Sequence, residues 1–233
     1  SYGNEETKVI AGNTFDYPSI HGYSILKAGY SFVSCSNEAI ESKQLSLSDY
    51  PIVDLILGKQ RQTKMGRGGV VPLQFKTFNT GLQEAITAYC QSGGHIFVSG
   101  AYVGSDLWDH PAATPADREF ATNTLRFQWR TGQAAITGEV KSAPSPFPVF
   151  SGRYDYHHLL NKTAYVVESP DGIEPAGEGG HTILRYAENN ISAGVAYQGK
   201  YKTCILGFPF ESVRTGEARD RLMQSILTFF NQK

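Results

Sequence analysis

The sequence predicts an α/β fold, with a mainly parallel core sheet and antiparallel strands added in the C-terminal half. Three observations carry this expectation. Pro51 to Gly58 is a near-continuous apolar run, as expected of a parallel strand covered on both faces. The apolar periodicity of Phe78 to Ser92 leads through Gly93-Gly94 into a second short apolar run, Ile96 to Ser99, which completes a strand, helix, strand unit. After residue 133 the pattern changes to short strand-like runs separated by Gly, Asn, Asp or Pro.

In chain order, Lys8 to Ala11 reads as a first strand, with Asn13, Thr14 and Asp16 in the polar loop that follows. His21 to Ala28 reads as a helix with Ile25 and Leu26 as apolar positions and Gly29 as its stop. Ser31 to Cys35 alternates as a strand, and Asn37 to Ile40 starts a helical turn. Thr63 to Gly69 is a Gly- and Arg-containing loop without the frame of a phosphate-binding loop. In the helix Phe78 to Ser92, Leu82, Ala85, Ile86, Tyr89 and Cys90 share one face, with Asn79 or Thr80 as its cap. Ser105 to His110 continues as a helical turn, and Asp117 to Arg130 as a helix anchored by Phe120, Leu125 and Trp129. The later strands are Ala134 to Val140, Thr163 to Glu168, His181 to Tyr186, Ile191 to Gln198 and Lys202 to Phe208. Between them lie a Pro-rich loop at 143–148 and a flexible one from Glu174 to Gly180, and Gly216 to Asn231 closes the chain as an amphipathic helix.

With 233 residues, 40% of them hydrophobic, the chain suffices for one α/β domain spanning 1–233. The abrupt ends at Ser1 and Lys233 suit a domain excised from a longer multidomain protein. A net charge of -1 supplies no basic field for a phosphate backbone, which argues against nucleic acid as a partner. No run reaches the length of a membrane span. Cys35, Cys90 and Cys204 fit no metal or redox spacing and read as small buried hydrophobes. No metal and no cofactor is expected.

The segment His95 to Asp106 organises these elements, because ligands of open α/β sheets sit at the carboxyl ends of the strands. Gly100 and Gly104 frame a tight turn after the central strand. The residues delivered to that crevice are Asn13, Gln60, Arg61, Ser99, Ser105 and Asp106, the candidate ligand contacts. Ser99 and Ser105 lack the GxSxG setting of a hydrolase nucleophile and read as turn residues, and Asp106 also suits a cap for the helix that follows.

Gly100-Ala101-Tyr102-Val103-Gly104 and Leu206-Gly207-Phe208-Pro209-Phe210-Glu211 resemble the two signature stretches of the class I glutamine amidotransferase-like superfamily. The resemblance implies a three-layer flavodoxin-like sheet, with the nucleophile at the elbow and a base histidine after a later strand. Here Tyr102 stands at the nucleophile position and Glu211 at the base position. A phenol with a pKa of about 10 is protonated at neutral pH and forms no thioester, so glutaminase activity is not expected. Val53 to Gly58, Gly93 to Asp106 and Gly207 to Glu211 are similar to a subgroup found in large secreted bacterial proteins that carry the name xanthan lyase. That resemblance implies a secreted or cell-surface setting, with polysaccharide or other domains of the same protein as partners.

Two functions follow as expectations. One is a catalytically degenerate module that binds or scaffolds in a polysaccharide-handling protein. The other is a carbohydrate lyase or hydrolase with Tyr102 and Glu211 as acid and base, for which His157, His158, Arg61 and Arg153 are also residues of the right types, a base and a cation beside a uronate carboxylate. Tyr154 to His158 reads as a wet aromatic loop without metal-ligand spacing. Glu211 fits a ligand contact and an acceptor for backbone donors equally well.

Overall fold

A computed structural model describes residues 17–61, 76–161 and 164–232. The expected strand Lys8 to Ala11, Asn13 and the loop Thr63 to Gly69 lie outside the described residues. The first described helix, α1 (Tyr17–Lys27), covers the expected His21 to Ala28 segment and starts four residues earlier. It buries His21 and Ser24, while Leu26 stays 57% exposed. A short helix α2 (Asn37–Glu41) precedes strand β1 (Ile52–Gly58). Helix α3 (Thr80–Gln91) starts where Asn79 Oδ1 accepts the Leu82 N–H at 3.0 Å, and it leads into β2 (His95–Gly100).

Strands β1 and β2 pair in parallel, with Leu55 opposite Val98. The later strands are β3 (Phe127–Thr131), β4 (Val140–Ser142), β5 (Gly172–Pro175), β6 (Gly180–Tyr186), β7 (Ser192–Gln198) and β8 (Lys202–Leu206). The main sheet has six strands in the order β1-β2-β8-β7-β6-β4, and β3 pairs with β5 in a separate ribbon. Strand β8 lies parallel to β2 and antiparallel to β7, so it belongs to both parts of the mixed sheet.

Alternate residues of the central strands feed two apolar clusters. Phe97, Cys204 and Leu206 join the closing helix α6 (Gly216–Asn231), which contributes Leu222, Ile226 and Phe229. Ile96, Val98 and Ile205 join Leu82, Ile86 and Tyr89 of α3. Each such large side chain taken out of water contributes about 1.5–3 kcal/mol before conformational entropy is subtracted. The architecture is therefore α/β, a six-stranded mixed sheet flanked by helices.

Six expected stretches differ. Ser31 to Cys35 forms no strand: Phe32 and Val33 are exposed, and the Phe32 ring rests against Gly22 of α1, where a Cβ would meet it at 2.1 Å. Alternation alone supplies no ladder partner. Cys35 is exposed rather than buried. The expected helix Asp117 to Arg130 is split into α5 (Pro115–Glu119), opened by a Thr114–Asp117 capping box, and a π-helical segment, Phe120–Leu125. Arg126, at φ 67°, ends the helical path, and Phe127 and Trp129 continue at the period of a strand.

Ala134 to Val140 is irregular until its last residue: Ile136 is exposed, and Gly138 at φ 67° turns the chain. Residues 164–168 form no strand and serve to place the buried side chains Tyr165 and Val167. The loop expected from Glu174 to Gly180 is shortened by the ends of β5 and β6. Tyr154 and Tyr156 are fully buried, so the stretch expected as a wet aromatic loop puts its two tyrosines in the core and keeps Asp155, His157 and His158 partly exposed.

Candidate functional site

The elbow forms where β2 stops. A side chain at Gly100 would come within 2.9 Å of Leu57 Cβ, and Ala101 donates its N–H to the Gly58 carbonyl at 2.8 Å, so the turn is locked against the end of β1. Tyr102 follows, half-buried, with the Arg61 guanidinium 5.0 Å from its ring centroid. Then comes the short helix α4 (Ser105–Trp108).

A carboxylate of the protein itself occupies the donors at this turn. Asp171 is fully buried, and its Oδ2 accepts the backbone N–H groups of Gly104 and Ser105, each at 2.7 Å. Its Oδ1 accepts from the Ser105 hydroxyl and from Trp129 Nε1, the latter at 3.1 Å. Burial pushes the Asp171 carboxyl up to about 6, against the downward pull of those donors. Gly207 explains the placement: Asp171 donates its N–H to the Gly207 carbonyl at 2.9 Å, and a Cβ at 207 would lie 2.1 Å from the Asp171 carbonyl oxygen. The stretch that opens at Gly207 thus supports the residue that fills the elbow.

Arg61, Tyr102, Ser105 and Asp106 line a cleft of about 280 Å³ together with His110 and Gln133. Three expected contacts and the residue at the nucleophile position therefore line one cleft. Asp106 does not cap its own helix; its carboxylate accepts the N–H groups of Thr77 and Phe78 at 3.1 and 3.0 Å, pinning the segment that leads into α3. Gln60 is exposed beyond β1, and its carbonyl accepts from Thr77 Oγ1. Ser99 is fully buried in β2 with its hydroxyl unpartnered.

Glu211 is not among the residues lining the cleft. It sits in the 3-10 turn Phe210–Ser212, only 3% exposed. Its Oε1 accepts the Tyr165 hydroxyl at 2.8 Å, and its Oε2 lies 3.2 Å from His21 Nε2. The other ring nitrogen, Nδ1, is 2.7 Å from Asp54 Oδ2 on β1. Burial by itself would lower the His21 pKa, but the two carboxylates outweigh it and raise it to about 9, so the ring is an imidazolium at neutral pH that donates to both acids. Burial and Glu211 raise the neighbouring Tyr17 phenol to about 12. One oxygen, Asp54 Oδ1, is buried without a partner.

Of the groups expected to serve a lyase, only Tyr102 and Arg61 line the cleft. Arg153 pairs with Glu139 and Asp155, and His158 Nδ1 contacts Arg214 at 3.0 Å. Burial pushes Cys90 up to about 12 and raises Cys204 as well, which leaves both thiols protonated. Among the described residues, no group of three or more His, Cys, Asp or Glu side chains is placed to hold a metal ion, and no helix is long and apolar enough to cross a membrane.

Sequence reasoning missed His21, Asp54, Asp171 and Tyr165. Asp54 carried a signal, as the single charge inside the apolar run 52–57. The others have no local pattern, since their partners stand tens of residues away or more.

No protein-family model matches the sequence, and no curated protein matches it. Solved structures do match. A cold-adapted β-galactosidase from Rahnella sp. R3 superposes at a TM-score of 0.58 and 13% identity, over 94% of this chain and 28% of that one. The exo-β-1,4-mannosidase Op5Man5 from Opitutaceae bacterium strain TAV5 gives 0.52 and 11%, over 91% and 30%. The mmIFT52 N-terminal domain gives 0.55 and 10%, over 91% of this chain and 89% of that one. The chain spans less than a third of either glycosidase, and at these identities the likeness is one of fold: an α/β architecture shared with part of two glycosidases and with nearly the whole of a third domain.

Proposed function

We propose that this chain is a non-catalytic, amidotransferase-like module of flavodoxin-like architecture that binds or scaffolds within a larger, secreted polysaccharide-handling protein. One observation carries the non-catalytic part: Asp171 takes up the backbone donors at the elbow that would otherwise face a ligand's developing charge. Around it, no cysteine of the described residues belongs to the elbow, and the acid at the base position is buried and bonded on both oxygens. The carbohydrate setting is supported by the two glycosidases among the fold neighbours and by the share of their length that this chain spans.

The competing reading, a lyase or hydrolase with Tyr102 and Glu211 as acid and base, needs both groups to reach one substrate atom. Tyr102 lines the cleft and Glu211 does not. Incubation of the purified chain with glutamine, read as ammonia release, and with uronate polymers, read as the absorbance of unsaturated uronate, tests the proposal. No turnover is expected. Turnover that disappears in Tyr102→Phe overturns it.

A further inference from the structure

The stretch Tyr154 to His158 serves neither the elbow nor the cleft, yet it ends in two histidines beside two arginines. Tyr156 pairs antiparallel with Val213, and His157 donates its N–H to the Ser212 carbonyl at 2.9 Å, so the histidines run beside the segment that leads into α6. Arg214 crosses this seam: its Nε donates to the Tyr156 carbonyl at 3.1 Å and its Nη2 to His158 Nδ1 at 3.0 Å. Arg219, near the start of α6, donates from Nη1 to the Val213 carbonyl at 2.6 Å. Burial first, and then the charges of Arg214, Arg219 and His158, hold the His157 imidazole below its ordinary range, as expected of a ring that faces cations. Arg214 is exposed and the other three side chains are partly so, which leaves the group open to solvent.

What the group lacks is an acid. Each guanidinium is anchored on a backbone carbonyl, which fixes its position and leaves its charge uncompensated; among the described residues, neither Arg214 nor Arg219 forms an ion pair with a carboxylate. Arg153 takes up Asp155 and Glu139, and Lys27 with the Ser24 hydroxyl takes up Asp220. In a chain of net charge -1, this concentration of cations is a local feature rather than a consequence of composition. Cations held side by side repel one another, and an anion between them removes the repulsion while accepting the N–H groups that the carbonyls leave over. The position suits a ligand as well. Helix α6 runs back along β8, with Lys202 at the start of that strand bonded to the Phe229 carbonyl near the end of the helix, so the first turn of α6 lies beyond the carboxyl end of β8, where α/β folds place their ligands.

We infer that His157, His158, Arg214 and Arg219 form a binding site for an anionic sugar chain, held through its carboxylate or sulfate groups. This rests on the reading of the chain as a binding module of a polysaccharide-handling protein, and names the ligand class and the site. The arginines supply permanent charge and planar donor sets, and the imidazoles add further donors. An open group of this kind suits a chain that passes over the surface.

Titration calorimetry and amide chemical-shift mapping with polygalacturonate oligosaccharides and with dextran sulfate test it, the first carrying carboxylates and the second sulfates. Neutral dextran, inorganic phosphate and phosphatidylglycerol vesicles are the comparators. Saturable binding of at least one of the two anionic glycans is expected, with shifts centred on residues 156–158 and 213–219, and the tighter of the two identifies the group recognised. Arg214→Ala and Arg219→Gln should each weaken binding about tenfold, whereas Arg118→Gln, which removes the same charge from an exposed position on α5, should change it less than about twofold. Glu217→Gln removes an exposed carboxylate from the first turn of α6 and should tighten binding about twofold, a gain that no loss of folding can imitate. No saturable binding of either anionic glycan by the folded chain overturns the inference, as does equal binding of neutral dextran, a preference for phosphate or vesicles, or an Arg118→Gln loss as large as those at Arg214 and Arg219. These outcomes leave the proposed non-catalytic role standing, since that role fails only on turnover.

Discussion

His21 Nε2 lies 3.2 Å from Glu211 Oε2, joining the first described helix to the turn after the last strand across 190 positions of sequence. With Asp54 on the other nitrogen, the ring is held between two acids against the sheet. The contact ties Glu211 into the core, away from the cleft beside the elbow.

Glu211→Ala removes the acceptor of both the imidazolium and the Tyr165 hydroxyl, leaving two buried donors unpaired. A loss of about 3–5 kcal/mol in unfolding free energy is expected from urea titration.

The raised pKa of His21 sets an alkaline limit. The folded state holds this proton up to about pH 9, whereas an unfolded histidine releases it near its ordinary value of 6.5. The stabilisation is therefore complete below pH 6.5 and is lost as pH rises through 9, amounting to about 3 kcal/mol. Urea midpoints measured from pH 6 to pH 10 should fall across that window, and His21→Gln should flatten the fall.

Asp171 gives a second window of the same sign at lower pH. Its carboxyl keeps a proton in the fold up to about 6, while the unfolded chain gives it up near 3.8. Its contribution is thus present below pH 3.8 and lost as pH rises through 6. Trp129→Phe removes one of the donors that hold the charged form, so it should push this titration higher and cost about 1–2 kcal/mol at pH 7. Trp108 remains as the sole tryptophan to follow the transition.

Two glycines should differ in tolerance. A Cβ at Gly207 meets the Asp171 backbone at 2.1 Å, which cannot move without disturbing the elbow, so Gly207→Ala should cost more than about 3 kcal/mol. At Gly104 the nearest obstacle is a side-chain atom of Trp129, at 2.5 Å, whose displacement gives up the bond to Asp171 but need not move the backbone at 171, so Gly104→Ala should cost about 1–3 kcal/mol. Thermal melts of the two variants rank them directly.

Much of the frame was legible because it is written in local periodicity. The parallel unit from Ile52 to Gly100, the capped helices α3 and α6, and the strands β6 to β8 follow from apolar spacing, cap residues and turn residues within a dozen positions of one another. The same reasoning failed where two periods overlap, as in Phe120 to Thr131, and where a strand-like run had no neighbour to pair with, as in Ser31 to Cys35. In the cleft, Arg61, Tyr102, Ser105 and Asp106 were found because they follow the ends of two adjacent strands.

By itself the sequence determined the α/β class and the glycine-framed turn after β2, since hydrophobic period and glycine placement are properties of short stretches of chain. Only the tertiary structure decided what that turn contains. Asp171 reaches it from 67 positions beyond Gly104, and His21 reaches Glu211 from the opposite end of the chain. Such pairings depend on which buried donors and acceptors the packed sheet brings together, and no local pattern encodes them.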